Sequence, residues 1–343
     1  MKVEIYANSG QQWDDYVLGH PQANIYHLYA WGIFFKDFYG LKPLNLVVYD
    51  DNQKILGLVP LILMKNYAMQ NIMVSLPYFC IGGIIADNQE TEHVILKKIR
   101  ELTISHKCKF TLLRSEHISD TVEFDHVEKN KSTFILKLDQ DHEKVFNGLQ
   151  KQIRRRIRKG YQSGCEIDIS KKYIDDFYDI YRINMRLLGS PAHKKSFYAE
   201  VVNRFPENYT VLVVLYNNKV IGAQLLSYFK KTVYLPLASS LKEFNSYSPN
   251  HLLYWESIKY GCENGYELCD FGRSSVESGP YIFKKQWNAL EMPLNYGYIY
   301  SHPPKEKCSD HSNKKLHLIS NIWQRTPLAV TNFLGPKLSK WLP

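Results

Sequence analysis

Two stretches of this chain repeat the same order of apolar and polar positions. One reads Val47-Val48-Tyr49-Asp50-Asp51-Asn52-Gln53-Lys54-Ile55-Leu56-Gly57, the other Val213-Val214-Leu215-Tyr216-Asn217-Asn218-Lys219-Val220-Ile221-Gly222. Each is an apolar strand, an Asp/Asn-rich turn and an apolar step to glycine entering a second strand, the pattern of a β-hairpin. The partner strands are predicted over 58–64 and 223–229, and a third strand over 75–81 in one half and 232–237 in the other. Helices follow over 92–106 and 250–264, with apolar residues three and four apart. Both halves then return to a short strand ending near an Arg-Ser pair, Arg114-Ser115 and Arg273-Ser274. Hairpin, strand, helix and strand recurring in that order predict a duplicated α/β unit with mixed sheets.

The second half carries more helical pattern ahead of its hairpin. Over 142–164, Phe146, Leu149, Ile153, Ile157 and Tyr161 fall on one face, and Lys151, Arg154, Arg155, Arg156, Arg158 and Lys159 lie opposite. Further helices are predicted over 173–188 and 195–205. The charged connector at 139–143 marks the join, giving domains over 1–140 and 141–300 and a tail over 301–343. From 319 onward that tail is basic and amphipathic, a pattern that suits docking on the domains or lying on a membrane surface.

Composition narrows the class. The 343 residues are 45% hydrophobic and 22% charged, as in a folded globular protein. A net charge of +9 favours polyanionic partners. Six cysteines (Cys80, Cys108, Cys165, Cys262, Cys269 and Cys308) show no CxxC pair, which points to buried free thiols in a reducing, cytoplasmic compartment. The opening residues lack a leader pattern, and no apolar run reaches the ~18 residues of a spanning helix.

Several chemistries are missing: there is no GxSxG, HExxH, GxxxxGK[ST] or post-strand GxGxxG, and no metal-ligand spacing. Direct attack by an acceptor amine on an activated acyl donor fits better than a covalent triad. Such a reaction is carried mostly by positioning and electrostatics. The richest candidate segment is 270–287, where a short strand gives way to Ser-Gly turns, Arg273 and the Lys284-Lys285 pair. Strand ends followed by such loops are where α/β proteins place ligands.

The repeated order resembles the GNAT acyltransferase fold, duplicated in tandem. In that fold a Gly-rich turn at the helix after the fourth strand cradles the coenzyme A pyrophosphate. Here the turn reads Ser248-Pro249-Asn250 without glycine, and its first-half counterpart, 87–92, is acidic. The chain further resembles the FemAB-like branch of that superfamily, which includes peptidoglycan- and exopolysaccharide-associated members. The matching residues are Ile153-Arg154-Arg155-Arg156-Ile157-Arg158-Lys159-Gly160, Asn184-Met185-Arg186-Leu187-Leu188-Gly189-Ser190-Pro191-Ala192-His193, Leu237-Ala238-Ser239-Ser240, the helix start at Ser248, and the segment through Trp287. The first half adds Tyr26-His27-Leu28 and Trp31.

The resemblance implies transfer of an aminoacyl or other acyl group to an amine on a cell-wall or polysaccharide precursor. It implies no tightly bound cofactor, with aminoacyl-tRNA or acyl-CoA as donor. In well-studied relatives the donor is aminoacyl-tRNA and the acceptor a peptidoglycan stem peptide. The long coiled-coil insertion that some relatives turn toward tRNA is absent here. A coenzyme A-dependent N-acetyltransferase and a non-catalytic binding module in a polysaccharide assembly complex are the alternatives. tRNA is a candidate partner, as is peripheral contact with the inner membrane surface; no DNA partner and no metal are expected.

Within this resemblance Lys284 matches the family's FK-x-x-W/F lysine and, with His193 and Asp270, forms the expected catalytic set. Arg273, Arg186, Ser190, Ser239, Asn250, Ser278, Tyr281, Tyr26, His27 and Trp31 are the expected substrate contacts. Arg155, Arg158 and Lys159 are the expected polyanion contacts.

Overall fold

The computed structural model describes residues 1–115, 124–302 and 311–343, with the side chains of 311–317 excepted. Cys308 lies outside the described residues. The chain forms two compact units, one of Met1–Lys131, Pro293–Ser309 and Lys340–Pro343, the other of Ser132–Met292 and Asp310–Ser339.

The first unit runs β1 (Lys2–Ile5), α1 (Gly10–Gly19), α2 (Ala30–Tyr39), β2 (Lys42–Pro43), β3 (Leu46–Tyr49), β4 (Ile55–Val59), β5 (Ile62–Lys65), β6 (Asn71–Val74), β7 (Ile85–Ala86), α3 (Gln89–Ser105) and β8 (Phe110–Ser115), then enters β9 (His126–Lys137). The second runs α4 (His142–Gly148), α5 (Lys151–Gln162), β10 (Glu166–Ile169), α6 (Ile174–Leu187), α7 (Lys195–Arg204), β11 (Tyr209–Tyr216), β12 (Lys219–Phe229), β13 (Thr232–Ser240), α8 (Pro249–Glu263), β14 (Leu268–Asp270), β15 (Ser274–Ser275) and α9 (Gly279–Lys285). Then come β16 (Leu290–Tyr300), α10 (His311–Arg325) and α11 (Leu328–Ser339).

The two hairpins match in detail. β3 and β4 pair antiparallel with a register shift between Val48 and Tyr49, and Gly57 opposes Val48. β11 and β12 shift between Val214 and Leu215, and Gly222 opposes Val214. In both units the paired glycine lets a helix approach the sheet. A Cβ on Gly57 would fall 2.7 Å from Thr91 Cγ2 of α3, and one on Gly222 3.2 Å from Pro249 Cβ of α8. Each unit then sets a pair of parallel strands side by side: β6 on β8 through Met73↔Thr111 and Val74↔Leu112, and β13 on β14 through Thr232↔Leu268 to Tyr234↔Asp270.

Three expectations need correction. The strand predicted over 58–64 breaks at Pro60: β4 stays in the β1-β3-β4-β7 sheet while β5 pairs with β6 and β2. Proline has no N–H to give a ladder, so the arm changes partners there; the second unit has no proline at that place and β12 runs unbroken. The strand predicted over 75–81 is instead β6 at Asn71–Val74 followed by a loop, because Leu76 and Tyr78 adopt φ of 59° and 71°, outside the extended region. The single helix predicted over 142–164 is α4 and α5, parted where Leu149 and Gln150 take extended ψ of 153° and 142° and Leu149 turns into the core. That core gathers α5, α8, β12 and β13 around Leu252, Leu253, Ile258, Phe271 and Trp287.

Candidate active site

β13 and β14 are paired only as far as Asp270; β13 then continues to Ser240. Asp270 ends β14 with a buried carboxyl, 3% exposed. The Thr133 hydroxyl and the Gly272 amide (2.7 Å) both donate to its Oδ1. Oδ2 takes no hydrogen bond among the described residues. Burial raises the Asp270 carboxyl above its ordinary value, opposed by those two donors and by the nearby Lys284 ammonium. A carboxyl so raised is a better proton acceptor than a free one.

Gly272 is required where it stands. Its φ is +73°, and a Cβ there would lie 3.0 Å from the carbonyl oxygen of Leu235 on β13. Lys284 holds the same turn from the other side. Its side chain comes off α9, is 6% exposed, and donates from Nζ to the carbonyls of Gly272 (2.7 Å) and Arg273 (3.1 Å). Arg273 itself projects outward. The expected Lys284–Asp270 pair is therefore brought together, with the ammonium engaged by backbone. Ser278 caps α9, accepting from Tyr281 N at 3.4 Å and donating to Ser275 O at 2.6 Å. Tyr281 donates to Glu291 Oε2 at 2.8 Å, and Glu291 Oε1 accepts from Ser132 at 2.8 Å.

The start of α8 departs from a phosphate cradle. Pro249 has no N–H, and the amides of His251 (3.0 Å) and Leu252 (3.3 Å) both donate to Ser248 O. Ser248 sits at φ 58°, and its buried hydroxyl has no partner. The Gln224 amide, fully buried on the β12 face that also carries Gly222, has partners for neither its nitrogen nor its oxygen. Such orphans cost about 1–3 kcal/mol each, and a strain, a catalytic role or a bound water or ion is what ordinarily accounts for them. Asn250 lies half-buried in the first turn. His251 is lowered to about 4 by burial and by the Arg156 guanidinium, which α5 directs at this helix start. Gln224 and Arg156 were absent from the expected contacts. Arg156, expected with the basic residues opposite the apolar face, instead flanks that face, because it follows Ile153 by three on the helix; Gln224 gave no signal within its apolar strand.

Other expected residues pack elsewhere in the second unit. Arg186 at the end of α6 donates to Thr326 O (3.1 Å), between α10 and α11. Ser190 N donates to Met185 O at 3.0 Å. Ser239 is buried on β13 and accepts from Asn184 Nδ2 at 3.1 Å. The His193 ring stacks on Phe197 at 4.7 Å, and burial lowers it to about 3, so it is neutral and weakly basic at pH 7. On α5, Arg155, Arg158 and Lys159 are exposed, with Arg158 over the Phe146 ring at 5.2 Å. Arg158 also borders a ≈500 Å³ cleft with Phe146, Trp255, Glu256 and Lys259.

In the first unit, Tyr26 and Trp31 are core residues, 4.8 Å and 4.5 Å from the Phe79 ring, and the Trp31 indole donates to Ile25 O at 2.9 Å. His27 accepts from Asn24 N (3.1 Å) through Nδ1 and faces Gly83 O (3.2 Å) through Nε2. It edges a ≈370 Å³ cavity with Gly82, Gly83, Arg114 and Ser115, at the carboxyl ends of β6 and β8.

The Acetyltransferase (GNAT) domain family model matches residues 148–285. Among solved structures the chain is similar to FemX, at 15% identity over 88% of this chain and 98% of that one, with a TM-score of 0.71. It is similar also to L-PGS from Bacillus licheniformis, at 9% identity, 93% and 98% coverage and a TM-score of 0.56. A tandem GNAT protein from the clavulanic acid biosynthesis pathway aligns at 10% identity, 89% and 100% coverage and a TM-score of 0.53. No curated protein matches the sequence significantly. The fold is thus a tandem of GNAT-like domains, and the likeness to FemX is a likeness of fold. The protein has an acyltransferase fold.

Proposed function

We propose that the protein is an N-acyltransferase that moves an aminoacyl or other acyl group to an amine on a cell-envelope or exopolysaccharide precursor. The observation that carries this is Asp270: a carboxyl of raised proton affinity at the end of β14, whose Oδ1 holds Thr133 and Gly272 and whose Oδ2 takes no hydrogen bond among the described residues. Oδ2 takes the proton from the acceptor ammonium. The freed amine attacks the acyl carbon, the new N–C bond forms, and the bond from that carbon to the donor's oxygen or sulfur breaks. The proton then passes to the departing group. Lys284 is a positioning residue that fixes the Gly272–Arg273 turn, and Arg273 meets the anionic part of a substrate.

Aminoacyl-tRNA is the donor we favour, in the cytoplasm where it is made. The exposed Arg155, Arg158 and Lys159 offer phosphate contacts, whereas the first turn of α8 offers few amides to coenzyme A. The test is to incubate a pool of envelope precursors with the protein and either radiolabelled aminoacyl-tRNA or labelled acetyl-CoA. Label should reach precursor amines from tRNA; transfer from acetyl-CoA alone would support the acetyltransferase alternative, and no transfer from either would support the binding-module alternative.

A further inference from the structure

On the two C-terminal helices the buried positions of α11 are small residues, while several large apolar residues are exposed. On α11, Thr331, Gly335 and Ser339 are buried. A Cβ on Gly335 would lie 3.2 Å from Ala192 O, in the loop after α6, and 3.7 Å from Trp323 of α10. On α10, Ser320 fits against Gly189 so closely that a Cβ there would fall 1.8 Å from its hydroxyl. The pair is thus docked on the second unit through small contacts. Several of its large apolar side chains look to solvent: Leu318, Ile319 and Ile322 on α10 are 63%, 60% and 59% exposed. On α11, Phe333 is 65% exposed and Val330, Leu334 and Leu338 38–45%. The spacing 330, 333, 334, 338 places the last four on one helical face. Single exposed leucines are ordinary, but an apolar face on each of two neighbouring helices marks a contact surface.

Charge identifies the occupant. Residues 311–343 contain Lys314, Lys315, Arg325, Lys337 and Lys340 and not one Asp or Glu. Lys337 Nζ sits 3.8 Å over the Phe333 ring, so a cation rides at the edge of the apolar face. A second copy of this chain would bring like charges together, which opposes association. An anionic bilayer instead offers headgroups to the cations and acyl chains to the Phe and Leu side chains. No helix among the described residues is long and apolar enough to cross a membrane.

We propose that α10 and α11 form an interfacial anchor that lays this face on an anionic phospholipid surface. The proposal stands apart from the acyl-transfer assignment, since none of these residues contributes to the Asp270 turn.

Co-flotation of the full chain with vesicles of phosphatidylcholine, with and without phosphatidylglycerol, tests it. Binding should require phosphatidylglycerol and fall with added salt. Phe333→Ser should weaken it by about tenfold, and Lys337→Gln by about fivefold. Both side chains are exposed, so melting curves should not change. Absence of binding, or equal binding by wild type and both variants, would overturn the proposal. So would concentration-dependent dimerisation in lipid-free buffer that Phe333→Ser abolishes, because the face would then be a copy-to-copy interface.

Discussion

The ammonium of Lys284 donates to the carbonyl oxygen of Gly272 at 2.7 Å, and so ties helix α9 to the turn that follows Asp270. The same nitrogen reaches Arg273 O at 3.1 Å. Replacing it strands two carbonyls and removes a cation from beside a buried carboxyl. Lys284→Ala is therefore expected to destabilise the protein by about 2–4 kcal/mol, lowering the thermal midpoint by several degrees, and to lower activity with it. Lost activity with an unchanged midpoint would instead make Lys284 a participant in the chemistry.

Asp270 should show an inverted dependence of stability on pH. Burial raises its carboxyl above the ordinary value, so folding favours the protonated form. That contribution is complete below the ordinary carboxyl value and is lost as pH climbs through the raised one. Asp270→Asn keeps an oxygen for Thr133 and Gly272 but does not titrate. Its melting point should equal or exceed wild type at pH 7, and the advantage should shrink toward pH ~4. A gap that widens on acidification would contradict the raised value.

Acetyl-CoA should bind poorly. Pro249 supplies no amide, and His251 and Leu252 spend theirs on Ser248 O. Titration calorimetry should find a dissociation constant weaker than about 100 μM. Micromolar binding would mean that the pyrophosphate is held by something other than the start of α8.

Much of the fold was legible because duplication leaves paired signals. The Asp/Asn turns and the glycines at 57 and 222 mark equivalent hairpins, and the structure adds a matching register shift to each. What failed were local departures from the pattern. Pro60 diverts one arm of a hairpin, and Leu76 and Tyr78 hold left-handed conformations that apolar residues do not advertise. In the site, the 270–287 segment was visible as a Gly/Ser/Lys loop after a strand. The Lys284 contacts were not, because which way a lysine turns is decided by burial rather than by sequence. His193 looked like a loop histidine, yet its surroundings make it a poor base. The inverted faces of α11 were also hidden, since an amphipathic pattern does not say which face points inward.

Comparing wild-type protein with the Asp270→Asn variant in the transfer assay tests the central assignment most directly. Both proteins should melt cooperatively and bind donor equally, while the variant transfers acyl groups about 10²–10⁴-fold more slowly and loses the acidic limb of the wild-type pH–rate profile. A variant that turns over at the wild-type rate, with the same profile, would show that the carboxyl at the end of β14 does not accept the proton and that the centre lies elsewhere.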